Sequence, residues 1–402
     1  MMKPVYREIP ASPGYFTLLA GLGLLCAIGL GSAWYMEHFG HVVTGMTNQI
    51  VWGMPHVVAV FLIVAASGAL NIASIGSVFS KAAYKPMARL SGLLAIALLA
   101  GGLAVLVLDL GRPDRLIVAM TSYNFKSIFA WNIFLYIGFF VVVGVYLFVQ
   151  MARGFGRYMK PVGWFAFVWR LMLTTGTGSI FGWLVAREAY DAAVMAPLFI
   201  ALSFSLGLAV FLLVTMLICR FSDREVGEHL LRRLARLLGV FSGCVLYFTA
   251  IQHLTNLYAS EHQGVELFIL VEGGLYTGLF WIGQILFGNL VPLAIVFHPA
   301  MNKDQMRIML ASFLIVLGGL AQIYVIIIGG QAYPLVLFPG MEVSSSFHDG
   351  AIASYTPSLP EIGLGLGGVA IALIIAWIGV KVLRIMPVSL SDAAVDPHHR
   401  PA

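Results

Sequence analysis

A short charged segment, Leu108–Arg115, has the residue types best suited to chemistry. It reads Leu-Asp-Leu-Gly-Arg-Pro-Asp-Arg and follows a long apolar run, so Asp109 and Arg112 stand at the end of that run. Charged side chains at the edge of an apolar run are costly unless they pair, contact water or bind a ligand. A carboxylate at this place can exchange protons, and a guanidinium can orient a polar group. A salt-bridge cluster at a membrane boundary is the alternative interpretation.

Other polar residues fall near the same end of their own apolar runs, among aromatic neighbours. Together they predict a pocket for an amphipathic ring compound such as a quinone. Its ring oxygens need hydrogen-bond donors, quinol oxidation needs a proton acceptor, and the isoprenoid tail needs an opening towards lipid. We predict Asp109 and His56 as the catalytic, proton-exchanging residues. The predicted quinone-binding residues are Arg112, Tyr123, His253 and Glu272.

The composition places these residues in a membrane protein. Hydrophobic residues make up 60% of the 402 residues and charged residues 10%, against about 25% charged in soluble domains. Ten apolar runs are long enough to cross a hydrocarbon core of about 30 Å. They lie near residues 14–36, 51–79, 89–108, 127–150, 163–186, 194–219, 234–257, 266–297, 307–329 and 361–384. The sequence therefore predicts an all-α integral membrane protein with about ten transmembrane helices.

Two of these runs contain unusual features. The eighth run is over-long, and Gly288, Asn289 and Pro292 predict an interruption in it. Arg170 lies inside the fifth run. It is either a paired structural residue or part of a water-filled proton route with Asn71, Glu272, Gln284 and Asn289.

The positions of the basic residues predict the orientation. Lys and Arg accumulate in cytoplasmic connections. Of the 23 Lys and Arg residues, only four lie in the predicted outer connections, which alternate with the cytoplasmic ones: Arg112, Arg115, Lys126 and Arg187. This bias predicts that both termini are cytoplasmic in a prokaryotic inner membrane. The first run exceeds the apolar core of about 7 to 15 residues of a cleaved signal peptide, so we interpret it as a helix. The net charge of +5 then reflects topology rather than nucleic-acid binding.

The cysteines and histidines limit the cofactors that the chain itself can hold. Cys26, Cys219 and Cys244 lie in or beside apolar runs without the spacing of metal ligands, which predicts no metal site and no iron–sulfur cluster in this chain. A haem b between His56 and His253 is the alternative use of these two residues.

Three segments outside the apolar runs carry further expectations. The predicted outer loop, residues 330–360, contains four prolines and is expected to be a cover or a docking surface. Residues 385–402 are expected to form a cytoplasmic tail. Ser222 and Glu225 have the spacing of a capping box ahead of an Arg-rich amphipathic turn.

Several segments resemble a known family. Leu108-Asp109-Leu110-Gly111-Arg112-Pro113 and Trp52-Gly53-Met54-Pro55-His56 are similar to segments of the NrfD/PsrC-like membrane subunits of respiratory complexes, and the ten-run layout resembles the HybB-like branch. With residues 65–71 and 123–127 included, the chain most resembles the DsrP-type subunits of DsrMKJOP complexes in sulfur metabolism. The match covers essentially the whole chain.

The resemblance implies a fold, a substrate and partners. It implies two four-helix bundles, about residues 51–186 and 194–329, with the first and tenth helices flanking them. It also implies a menaquinone or ubiquinone site near the outer face, beside a ferredoxin-like iron–sulfur subunit within a DsrMKJO-like complex. Asp109 and Arg112 match residues of the family's turn. His56, in the segment Trp52–His56, is a weaker match to the family. The residues themselves leave two alternatives. One is a secondary transporter or ion translocator, and the other is an inert membrane anchor for redox subunits.

Overall fold

The chain is built from helices in a computed structural model that describes residues 4–334 and 350–395. Within these ranges no β-strand forms, which confirms the all-α prediction. The α-helices are α1 Pro13–Phe39, α2 Met54–Ala69, α3 Asn71–Ser77, α4 Ala88–Leu108, α5 Leu116–Thr121, α6 Ile128–Met151, α7 Met159–Trp183, α8 Met195–Phe221, α9 Glu228–Tyr258, α10 Gln263–Leu267, α11 Leu275–Gly278, α12 Val291–Phe297, α13 Gln305–Tyr324, α14 Gly330–Ala332, α15 Leu359–Val382 and α16 Asp392–Val395.

Shorter elements extend several of these helices. Four 3-10 turns lie at His41–Val43, Ala82–Met87, Pro113–Arg115 and Gly156–Tyr158, and three π-helical segments lie at Phe268–Glu272, Leu279–Leu290 and Val325–Gly329. Parts of the predicted outer loop (335–349) and of the predicted tail (396–402) lie outside the described residues.

Nine helices of the described chain are long and apolar enough to cross a membrane, consistent with a multi-pass membrane protein. The predicted fifth span differs: α7 is helical over 25 residues but is not one of the nine. Its polar side chains include Arg170, Thr174 and Thr177, which are buried against neighbouring helices. The polar side chains of α7 therefore make contacts within the protein, and they lower the hydropathy of the helix although they do not face lipid.

The over-long eighth run breaks at a different place from the predicted one. The prediction of an interruption at Gly288, Asn289 and Pro292 is wrong, because the backbone stays helical from Leu275 to Phe297. The break comes at Gly273 and Gly274, where Gly274 has a φ of 55°, a conformation that L side chains rarely adopt. Pro292 is accommodated because it follows a π-helical segment at the start of α12.

The packing of the long helices forms two groups. In one, α2, α4, α6 and α7 pack around each other; in the other, α8, α9, α12 and α13 do so together with the π segment Leu279–Leu290. The first long helix, α1, packs on the last, α15, and α15 in turn packs against α4 and α2. We retain the division into two bundles with two flanking helices as a proposal based on this packing.

The two groups meet where α2 crosses α8. A Cβ on Gly68 would overlap the Ser203 carbonyl, and a Cβ on Gly207 would overlap the backbone of Gly68. Such close backbone contacts are typical of helix pairs within membranes, where small residues allow tight packing. This contact holds α2 in the interior, where 94% of its most apolar window is buried.

One end of the molecule gathers both chain ends. Tyr6 forms a bridge with Pro387, and Val226 forms one with Leu390. The Asp392 carboxylate accepts hydrogen bonds from the backbone amides of His229 and Leu230 at 2.9 Å each, so it caps the start of α9. The expected capping box at Ser222 is therefore wrong: α9 begins at Glu228 and includes the Arg-rich segment.

We expect Gly207→Ala to destabilise the protein, because the added methyl group meets backbone rather than a movable side chain. Overpacking of this kind costs about 1–3 kcal/mol. Thermal unfolding in detergent measures the effect. Gly243→Ala is the matched control, since Gly243 lies in α9 with open space around its Cβ position. An equal unfolding midpoint for the two variants would contradict this role of the α2–α8 contact.

Candidate functional site

Asp109 and His56 face each other at one end of the first helix group. Asp109 is the C-cap residue of α4, and His56 lies in the first turn of α2, which begins with Pro55 at one of its first two positions. The Asp109 side chain is 1% exposed, and its Oδ2 is 3.0 Å from His56 Nδ1. The direction of this approach is not that of a hydrogen bond, and neither Asp109 side-chain oxygen has a hydrogen-bond partner among the described residues. A buried carboxyl group with unused acceptors is costly, which is typical of functional sites.

A second imidazole reaches the same residue. His41, in the 3-10 turn His41–Val43, places its Nε2 2.9 Å from the Asp109 main-chain oxygen and 3.8 Å from Asp109 Oδ1. The sequence analysis did not select His41, because it lies in a connection 68 residues away from Asp109. Two imidazoles therefore border one buried carboxyl group, an arrangement suited to receiving and passing on protons.

His56 also borders a large cavity with a volume of about 490 Å³. The wall is mostly apolar, with a few polar groups that could orient a ligand. Most of its residues come from α2, α4, α5, α6 and α7, with Trp52 before α2 and Ile327 from the π segment Val325–Gly329. The wall includes Trp52, His56, Leu103, Leu116, Met120, Asn132, Tyr136, Thr177 and Phe181. Among the wall residues, Val107, Leu110, Phe129 and Ile137 are exposed on the surface of the protein. These exposed apolar residues connect the cavity with the surface that lipid would cover.

Asn132 supplies a second unused polar atom in this wall. Its amide nitrogen donates to the Ile128 and Gly176 carbonyls at 2.9 and 3.1 Å, and this fixes the side chain. Its amide oxygen is buried without a hydrogen-bond partner among the described residues. The sequence analysis missed Asn132, which lies in an otherwise apolar helix. The one available signal was a carboxamide inside a predicted span.

Two predicted site residues from the turn and the connection after it do not line this cavity. Arg112 is exposed and forms a two-fold contact with Asp114, with Nε–Oδ1 and Nη2–Oδ2 distances of 3.0 and 2.9 Å. The hydrogen bond from Arg112 lowers the pKa of Asp114, and the same bond raises the pKa of Arg112. Tyr123 is half-buried and packs on Phe134, with ring centroids 4.3 Å apart. Their predicted roles in quinone binding stay predictions.

The other two predicted residues lie with the second helix group. Glu272 is exposed at the end of the π segment Phe268–Glu272. His253 contacts Glu266, with Nδ1 and Oε2 2.5 Å apart, and Asn256 donates to the other Glu266 oxygen at 2.8 Å. His253 lines a separate cavity of about 20 Å³, which has room for about one water molecule. Their predicted roles likewise stay predictions.

The described donor groups do not fit a bis-histidine haem. His56 lines the large cavity and His253 the small one, and each directs Nδ1 to its own carboxylate. A haem needs two imidazoles that face one shared space. Within the described residues, no group of three or more His, Cys, Asp and Glu side chains is arranged to hold a metal ion.

Comparison with known proteins identifies relatives along most of the sequence. The family model described as "Polysulphide reductase, NrfD" matches residues 42–334. The protein is 29% identical over 389 residues to the "Hdr-like menaquinol oxidoreductase integral membrane subunit" of Archaeoglobus fulgidus, a match over 95% of this protein and 96% of that one. It is 28% identical to a putative dimethyl sulfoxide reductase membrane subunit of Halobacterium salinarum, over 91% of both proteins. It is 24% identical to a polysulfide reductase chain of Wolinella succinogenes, over 71% of this protein and 96% of that one.

Two matched substitutions compare the Asp109 carboxyl group, which accepts no hydrogen bond, with the Glu266 carboxyl group, whose two oxygens both have partners. We expect Asp109→Asn to leave the thermal unfolding midpoint unchanged or raised, because the Asp109 oxygens accept no hydrogen bond and a buried charge is removed. We expect Glu266→Gln to lower it, because both Glu266 oxygens are engaged and loss of such bonds costs about 1–3 kcal/mol. Thermal unfolding in detergent at neutral pH checks both. A larger loss for Asp109→Asn would show that Asp109 has a structural role.

Proposed function

The chain belongs to the NrfD polysulphide reductase family, and we propose that it is the quinone-reactive membrane subunit of a multisubunit redox complex. The observation that carries the proposal is the apolar cavity of about 490 Å³ beside His56 and Asp109. The names of the relatives support it: one is a menaquinol oxidoreductase membrane subunit, and another is a polysulfide reductase chain.

The polar groups of the cavity suit the head group of a quinol. A quinol carries two hydroxyl groups on opposite sides of its ring, and each needs an acceptor before its proton leaves. The His56 imidazole accepts a hydrogen bond from one hydroxyl, and the unused Asn132 amide oxygen accepts one from the other. Because an amide oxygen does not take up a proton, Asn132 orients the ring, and both protons leave through His56, one after the other. The Trp52 ring, which lines the cavity beside His56, offers a face for stacking.

Proton transfer then uses the contact between His56 and Asp109. Oxidation of one quinol releases two protons and two electrons. A proton taken at the ring-facing nitrogen of His56 allows release of the proton on Nδ1 to Asp109 Oδ2, 3.0 Å away, once the imidazole turns so that its N–H points at that oxygen. His41 Nε2 donates to the Asp109 carbonyl and lies 3.8 Å from Asp109 Oδ1, so it stabilises the carboxylate, and the proton leaves Asp109 through water beside the half-exposed His41 ring. In quinone reduction the same groups work in reverse. The isoprenoid tail extends past Val107 and Ile137 into lipid.

The electrons are exchanged with a partner subunit. We propose a ferredoxin-like iron–sulfur subunit that contacts the exposed turn after α4, where Arg112 would meet an acidic edge of the partner. Arg112 suits this role because it is exposed and outside the cavity wall. This chain then needs no metal centre of its own. The substrate is menaquinone or ubiquinone, and the name of the Archaeoglobus relative favours menaquinol.

The finer assignment follows the resemblance and the charge distribution. We propose a DsrP-type subunit of a DsrMKJO-like sulfur-metabolism complex in a prokaryotic inner membrane. Both termini are cytoplasmic in this proposal, because Arg220–Arg236 and the first residues lie at the end opposite Asp109. The cavity then opens near the outer face.

Tryptophan fluorescence provides the test, since Trp52 lines the cavity. We expect a quinol-analogue inhibitor to quench the fluorescence of the purified protein saturably. The affinity should be about tenfold lower in Asn132→Leu, which removes an acceptor from the cavity wall, and also lower in Asp109→Asn, which changes the group beside His56. Asp114→Asn is the matched control, because the chemical change is the same and Asp114 is exposed outside the cavity. It should bind as the wild type does.

Two further variants separate specific quenching from general effects. Trp52→Phe should remove most of the quenching, whereas Trp164→Phe should not, because Trp164 does not line the cavity. Equal affinity in Asp109→Asn, Asn132→Leu and Asp114→Asn would exclude the cavity as the quinone site. Absence of saturable quenching in folded protein would favour the transporter or anchor alternatives.

A further inference from the structure

A third cavity lies at the opposite end of the first helix group, and its chemistry differs from that of the proposed quinone cavity. Its volume is about 380 Å³. Three basic residues line it, Lys85, Arg89 and Lys160, and no acidic residue of the described chain lies in its wall. We propose that this cavity, the basic pocket, binds a phosphate group, and that the source is the head group of an anionic phospholipid.

The wall contains a buried amide without a partner. Gln150, near the end of α6, is 9% exposed, and neither its side-chain oxygen nor its nitrogen has a hydrogen-bond partner among the described residues. The neighbouring Tyr146 hydroxyl contacts Ser77 and donates to the Ala73 carbonyl at 2.9 Å, so its hydrogen is not available to the Gln150 oxygen. Two unused polar atoms facing a cavity indicate a ligand that supplies their partners.

The positive groups are arranged around this amide. Arg89 is fixed: its guanidinium lies over the Tyr6 ring, 3.7 Å from the centroid, and donates to the Arg384 and Gln150 carbonyls at 2.9 and 3.0 Å. Lys85 and Lys160 form no ion pair or side-chain hydrogen bond within the described part of the protein, so their ammonium groups are available. Phosphate oxygens are suitable acceptors for both.

Two long helices begin at the basic pocket. The first residues of α4 and of α7, including Ala88 and Met159, belong to its wall. The Ala88 and Met159 amides donate to the Lys85 and Gly156 carbonyls of the preceding 3-10 turns, so it is the helix dipole rather than free amides that favours an anion here. The exposed rings of Phe79 and Phe155 lie one residue from the wall residues Ser80 and Gly156. These rings provide apolar surface for acyl chains, which favours a lipid over free phosphate.

Binding to the full purified protein tests the proposal. Native mass spectrometry after delipidation would be titrated with phosphatidylglycerol and, for comparison, with phosphatidylcholine. We expect phosphatidylglycerol to bind in preference, with affinity at least about tenfold lower in the double variant Lys85→Gln/Lys160→Gln. The control Lys81→Gln/Arg153→Gln removes the same number of charges from exposed residues outside the basic pocket, and should bind like the wild type.

Inorganic phosphate distinguishes the source of the group. Thermal stabilisation by phosphate over chloride at equal ionic strength, absent in the Lys85→Gln/Lys160→Gln variant and without preference between the lipids, would support the phosphate site but assign it to free phosphate. Equal binding of all probes by the double variant and its control would overturn the proposal.

Gln150→Met supplies an independent measurement that does not depend on charge. If the amide serves the ligand, this variant should bind phosphatidylglycerol more weakly and, without lipid, should be as stable as the wild type or more stable, because an unsatisfied buried amide is removed. Unchanged lipid binding in Gln150→Met together with a loss of lipid-free stability would contradict the assignment.

Discussion

The close contact between Gly68 of α2 and Gly207 of α8 determines much of the remaining structure. Because neither residue has a side chain, the two backbones meet directly, and α2 becomes the central helix that contacts α4, α7, α8, α13 and α15. A helix buried on all sides has no lipid-facing surface, so every polar group on it faces protein. This is why α2 can carry His56 at one end and Ser67 near the other, where Asn71 begins α3.

In the middle of the first helix group, polar side chains satisfy each other. Arg170 of α7 is 2% exposed and donates to Asn71 Oδ1 at 2.6 Å and to the Ser67 carbonyl at 3.2 Å. Thr174 adds a hydrogen bond to the Ser67 hydroxyl at 2.5 Å. With no water in a bilayer core, such pairing is what allows a guanidinium to be buried. These contacts favour the paired structural role for Arg170 over a proton route, and they explain why α7 is too polar to resemble the other spans.

The long apolar runs predict both the helical class and the proximity of His56 and Asp109. Both residues end apolar runs, and the alternation of basic connections fixes which run ends share a face. Features that depend on tertiary contacts were not predictable in the same way. His41 contacts Asp109 from a connection between helices, and Asp392 caps α9 from 162 residues or more away in the sequence. Neither contact can be predicted from the spacing of neighbouring residues. The paired glycines Gly273 and Gly274 are a local signal for the helix break, but Pro292 is the stronger helix breaker by residue type and so favours the wrong position.

Hydrogen-bond satisfaction distinguishes the three polar clusters of the interior from one another. Around Arg170, Nη1 is paired with Asn71 and Ser67, although Nε has no partner among the described residues. Around Glu266 both oxygens are engaged, and the adjoining space of about 20 Å³ suits a single water. Around Asp109, by contrast, the carboxyl oxygens and the Asn132 amide oxygen are buried and unused, beside a cavity of about 490 Å³. Unsatisfied acceptors destabilise a folded protein unless something binds to them. The cluster that is worst satisfied by the protein alone is therefore the one with room for a ring compound.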